Sequence, residues 1–93
     1  MWQEADLQWS KLKAAIDSSQ VTWTNVELNP ENPGKAYKGV CADCTVDVIG
    51  WNVEGRGLCF IALMNPVKSM FHVIRLTNDK ASYCFRAAHG KEN

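Results

Sequence analysis

Four cysteines and two histidines are the side chains of this chain with reactive or metal-binding chemistry to offer. Cys41-Ala42-Asp43-Cys44 has the C-x2-C spacing of a metal half-site, because a turn between the two residues brings both sulfurs toward one point. Cys84 and His89, about forty residues further on, would complete a tetrahedral zinc set as C-x4-H. The second half lacks the knuckle of a zinc ribbon, and Cys84 lies in Tyr83-Cys84-Phe85, which reads as strand core. Free cysteine packs as a small hydrophobe, so unliganded buried thiols are the simpler reading and a small zinc-stabilised domain is the alternative.

The same C-x2-C invites a redox reading. Thiols of that kind are activated between a strand and a helix N-terminus, whereas this motif runs into the β-rich Thr45-Val46-Asp47-Val48, and Asp43 would raise a neighbouring thiol's pKa. A cysteine-dependent redox protein or enzyme is therefore the second alternative, and disulfides would belong to an exported chain. Pairing Cys44, Cys59 or Cys84 with His72 or His89 for nucleophilic catalysis is easy by chance in so short a chain. His72 shares a strand face with Met70, Ile74 and Leu76 and reads as a core or partner-facing histidine. No serine sits in a nucleophile elbow, and Gly55-Arg56-Gly57 is too short for a phosphate loop. The expectation is a protein that is not an enzyme and has no cofactor beyond the zinc alternative.

Whatever these residues do, the surrounding elements must hold them. Trp2, Ala5, Trp9, Leu12 and Ile16 recur at spacings of three and four and fall on a stripe about 80° wide, which predicts an amphipathic helix over residues 2 to 17. Glu4 and Asp6 suit its first turn, Ser18-Ser19 ends the pattern, and Leu7 falls on the far side. Val21 to Leu28 is rich in β-branched residues and reads as a strand. Asn29 to Lys35 carries two prolines and reads as a loop reaching toward Cys41, with Ala36 to Val40 a candidate edge strand.

The second half reads as a four-strand meander: Thr45 to Val53, Leu58 to Met64, Ser69 to Thr77 and Ala81 to Ala88. Gly55 and Gly57 supply the first turn, and Asn78-Asp79 the last. In the first of these strands Val46 and Val48 point one way and Ile49, Trp51 and Val53 the other, so a β-bulge near Gly50 would bring all five to one face. The run Leu58-Cys59-Phe60-Ile61-Ala62-Leu63-Met64 does not alternate, which implies cover on both faces of that strand. One helix can cover only one of them. The N-terminal helix, with Trp9 and Trp51 filling the gap, is the expected roof. The other side falls to the segment before Cys41 or to another protein chain.

The 93 residues suit one domain, 46% apolar and 22% charged, the composition of a folding chain. Ten basic residues balance ten acidic ones without blocks of either sign, which argues against nucleic acid as a partner. The acidic start is unlike a signal peptide and no stretch is long and apolar enough to span a bilayer, so a cytoplasmic, non-membrane protein is expected. The fold class is α+β: an N-terminal amphipathic helix on an antiparallel sheet of about five strands. The function that fits best is a protein-binding module acting by surface occlusion, alone or as a homodimer through a sheet face. In bulk properties it is similar to small inhibitors, phage-encoded blockers of host defence complexes among them. Trp23, Tyr37, Lys38, Arg56 and Arg75 are the candidate contact residues, since loops and hairpin tips present aromatics and Arg to partners.

Overall fold

A computed structural model describes residues 2–31, 34–67 and 73–91, with side chains from Ala5 onward. The elements in chain order are α1 (Trp2–Asp17), β1 (Thr22–Val26), β2 (Lys35–Val40), β3 (Cys44–Val53), β4 (Gly57–Pro66), β5 (Ile74–Arg75) and α2 (Asn78–Gly90). The strands form one open antiparallel sheet in the order β1-β2-β3-β4-β5, so each strand pairs with its neighbour in sequence. The fold is α+β, as expected. The strand face assigned to His72 with Met70, and the side chain of Trp2, lie outside the described residues.

Three elements differ from the sequence reading: of the strand expected over Ser69 to Thr77, residues 68–72 lie outside the described ones and only Ile74–Arg75, β5, is strand. Ala36 to Val40 is a full inner strand, β2, paired on both sides. Ala81 to Ala88 is not a strand but the body of α2. Its buried residues Ala81, Cys84, Phe85 and Ala88 follow spacings of three, one and three, a helical stripe that the apolar trio Tyr83-Cys84-Phe85 disguises. Asn78 and Asp79 open this helix instead of turning a hairpin, with Asp79 in the first turn where exposed N–H groups favour a carboxylate. Thr77 Oγ1 donates to the Asp79 carboxylate at 2.7 Å and holds it below its ordinary pKa.

The main roof of the sheet is therefore α2, which packs on β2, β3 and β4. Phe85 stands at its centre, 5.3 Å from Phe60 and 5.5 Å from Tyr37 between ring centroids, and burying such a ring contributes about 2–3 kcal/mol. The bulge expected at Gly50 does not form, because β3 keeps one register with β2 and with β4 throughout. Gly50 instead lies flat beneath Phe85: a Cβ there would come within 2.6 Å of the ring.

The N-terminal helix α1 sends Leu12, fully buried, into the same core, with Trp9, Ala15 and Ile16 packed around it. It is fastened to α2 through Tyr83. That phenol donates to the Asp17 carboxylate, its ring meets Trp9 edge-on at 5.9 Å, and the Lys13 ammonium sits 5.3 Å from the ring centroid. Trp9 thus fills the seam between the helices. The C-terminus of α1 is a Schellman closure, with Ser19 N–H bonded to Ile16 O at 3.1 Å and Gln20 N–H to Ala15 O at 2.8 Å. Ser19 pays for it with a left-handed φ of 59°.

Candidate functional site

Alternation along the strands and the pairing register decide which residues each face of the sheet presents. Under α2 run two cross-strand rows, Trp23-Gly39-Val46-Met64-Ile74 and Asn25-Tyr37-Val48-Ala62. On the opposite face Val26, Ala36, Ile49 and Ile61 stand in one unbroken apolar row across four strands. The adjacent row on that face reads Thr24-Lys38-Asp47-Leu63-Arg75, and the row on the other side includes Trp51 and Cys59.

None of Val26, Ile49, Trp51, Ile61 and Leu63 belongs to the hydrophobic core, and Val26 and Leu63 are 41% and 38% exposed. Val26, Ala36, Ile49, Ile61 and Leu63 line a shallow hollow of about 210 Å³. Among the described residues both helices lie on the other side of the sheet. The run 58 to 64 therefore alternates between a covered face (Phe60, Ala62, Met64) and a face (Cys59, Ile61, Leu63) that is apolar yet open. Trp51 belongs by register to this open face and not to the gap beneath a helix.

The five candidate contact residues separate into three places. Lys38 and Arg75 stand on the open face, and Arg56 is exposed in the turn between β3 and β4. Trp23 covers Gly39 on the helix side of the sheet, half-buried against the core. Tyr37 is 2% exposed, with its hydroxyl 2.8 Å from His89 Nδ1. Ile61 and Leu63 lie in the run for which a second cover was expected, whereas Val26, Ala36 and Ile49 are missing from the sequence reading. The signal for Ile49 was in the alternation of β3, once Gly50 is read as a seat for a ring and not as a change of phase.

The zinc candidates divide as well. All four cysteines are free thiols. Cys41 and Cys44 close the two-residue hairpin between β2 and β3, where the Cys41 N–H meets Cys44 O at 3.0 Å and the two sulfurs stand 3.3 Å apart. Cys84, fully buried on α2, lies close enough to Cys44 to act on it electrostatically. Burial pushes both the Cys44 and Cys84 thiols up to about 12, with the hydrogen bond to Cys41 adding to the effect at Cys44. His89 takes no part in this cluster: its ring stacks on Phe85 at 5.6 Å and its Nδ1 is engaged by Tyr37. Among the described residues no three His, Cys, Asp or Glu side chains are placed to hold one metal ion.

No described helix is long and apolar enough to cross a membrane. With the sheet face and the thiol cluster as the two features to be explained, comparison with known proteins finds no family model, no curated protein and no solved structure that matches this chain.

Proposed function

We propose that this chain is a non-enzymatic protein-binding domain that works through the open face of its sheet, and that the protein seated there is a second copy of the chain. The observation carrying the proposal is the apolar row Val26-Ala36-Ile49-Ile61, flanked by a row holding charges of both signs. A patch bearing Lys38 directly opposite Asp47 is self-complementary under a two-fold rotation, which can set each Lys38 against the Asp47 of the other copy. With strands about 4.8 Å apart and rising about 3.3 Å per residue, β1 to β4 offer on the order of 500 Å² per copy, or about 1,000 Å² for the pair, where specific interfaces begin. The exposed turn carrying Arg56 lies at the end of β3 and β4 and remains available in such a dimer for contact with a larger partner. A binding role also suits Cys84, which burial keeps protonated at neutral pH and so poor as a nucleophile.

Sedimentation velocity over a concentration series tests this. A concentration-dependent dimer is expected, with Ile61→Asp yielding a folded monomer. A wild-type chain that stays monomeric at high concentration overturns the dimer and leaves the face to a foreign protein.

A further inference from the structure

The hairpin joining β2 and β3 carries a second feature, which the binding face does not use. Cys41 and Cys44 are the closing pair of a two-residue turn, next in register after Val40 and Thr45. Their sulfurs, 3.3 Å apart, need move only about 1.3 Å to reach bonding distance, and directly opposed residues of an antiparallel pair lie about 4.5–5.5 Å apart at Cα, within the range a disulfide spans. Beside them is a cavity of about 470 Å³, walled by Lys11, Ala14, Ala15 and Ser18 of the α1 end and by Cys41, Ala42 and Asp43 of the hairpin. Cys41 is half-buried and lines that cavity, whereas Cys44 is only 1% exposed. One thiol thus faces an opening that admits a small molecule, and the other waits behind it.

We propose that Cys41 and Cys44 form a reversible dithiol–disulfide site that exchanges with low-molecular-weight disulfides entering this cavity. The Cys41 thiolate attacks one sulfur of glutathione disulfide, forming a mixed disulfide and releasing one glutathione thiolate, which takes up the proton that Cys41 lost. Cys44 then gives up its proton as its sulfur attacks Cys41 Sγ, and the second glutathione leaves as a thiol. Two electrons and two protons pass from the cysteine pair to the oxidant, and one Sγ–Sγ bond replaces two S–H bonds. Burial of Cys44 makes the second step slow, which suits a site that records redox poise and not one that turns over. The site is independent of the sheet face.

The test is equilibration of the native protein in glutathione buffers of graded oxidation, followed by alkylation, tryptic digestion and mass spectrometry. No Lys or Arg occurs between Lys38 and Arg56, so the tryptic peptide 39–56 contains Cys41 and Cys44 and no other cysteine. The expected result is a population of this peptide lacking two hydrogens and refusing alkylation, restored by excess glutathione, with Cys59 and Cys84 still alkylated after denaturation. Cys44→Ser should trap the Cys41–glutathione mixed disulfide, and Cys41→Ser, a change at a half-buried position, should abolish both products while the far-ultraviolet spectrum stays native. Four thiols alkylatable after denaturation across the whole series, a bridge mapped to another pair, or a stoichiometric zinc ion that blocks the oxidation would each overturn the proposal.

Discussion

Gly50 is the residue whose role is easiest to misread. A glycine amid β-branched residues invites a bulge, yet the register through it is unbroken, and the missing side chain makes room for a ring delivered by α2. Gly50→Ala should therefore cost about 1–3 kcal/mol, the usual penalty for overpacking, seen as a lower urea midpoint at unchanged m. Gly39 offers the comparison, since a Cβ there also comes within 2.6 Å of a ring, that of Trp23. Trp23 is half-buried at the edge of the core and can swing away, whereas Phe85 is held among Tyr37, Phe60 and His89. A Cβ at Gly39 also meets the buried Val21 Cγ1 at 2.9 Å, so Gly39→Ala should carry an overpacking cost even where Trp23 yields. The purpose of such a glycine cannot be read locally, because the ring that explains it lies 35 positions away in the chain for Gly50 and 16 for Gly39.

At the scale of elements, α1, β1 and β3 were legible from periodicity and β-branched composition and β4 as an unbroken apolar run of strand length, and Gly55 and Gly57 mark the β3–β4 hairpin with a φ of 83° apiece. α2 was obscured for two physical reasons. Its buried stripe uses two alanines and a cysteine, which carry little hydrophobic signal, and its opening Asn-Asp serves a hairpin turn as readily as a helix start. The two helices then define two experiments. Ser19 closes α1 in the left-handed region, where a Cβ costs roughly 1–2 kcal/mol, so Ser19→Gly should raise stability by about 0.5–1 kcal/mol in thermal or urea unfolding. The Tyr83–Asp17 hydrogen bond lowers the pKa of Asp17 and raises that of Tyr83. A carboxyl depressed in the folded state stabilises above its unfolded pKa and loses that contribution as pH falls through its folded value. A raised phenol stabilises below its unfolded pKa and loses its share as pH climbs toward the folded one. Amide exchange along α1, corrected for intrinsic rates, should therefore quicken below the ordinary carboxylate range and above the ordinary phenol value of 10.0. Tyr83→Phe should flatten both limbs without unfolding the sheet.

For the molecule as a whole, the question is why a domain with ample polar residues leaves a continuous apolar row on the face away from its helices. An open antiparallel sheet ordinarily alternates apolar-in and polar-out, and here the outward set of β3 and β4 includes Ile49, Trp51, Cys59, Ile61 and Leu63 beside the polar Thr45, Asp47 and Asn65. Opposite substitutions on β4 separate folding from association. Phe60→Asp places a charge beneath Phe85 and should unfold the chain, whereas Ile61→Asp, one residue along, faces outward and should abolish the dimer while leaving a native far-ultraviolet spectrum. Charge gives the sharper test of a two-fold arrangement. Lys38→Glu puts two acidic groups on each face, and in a symmetric dimer the repulsion counts twice. A surface pair within one chain contributes about 0–1 kcal/mol, so the fold should barely change, but the dimer should weaken by roughly tenfold and gain strength with added salt. Asp47→Lys should weaken it similarly. Exchanging both, Lys38→Glu with Asp47→Lys, restores one positive and one negative group per face and should recover most of the wild-type association in sedimentation equilibrium. A double variant no better than the singles would place these charges outside the interface and remove the charge complementarity that favours a second copy as the occupant.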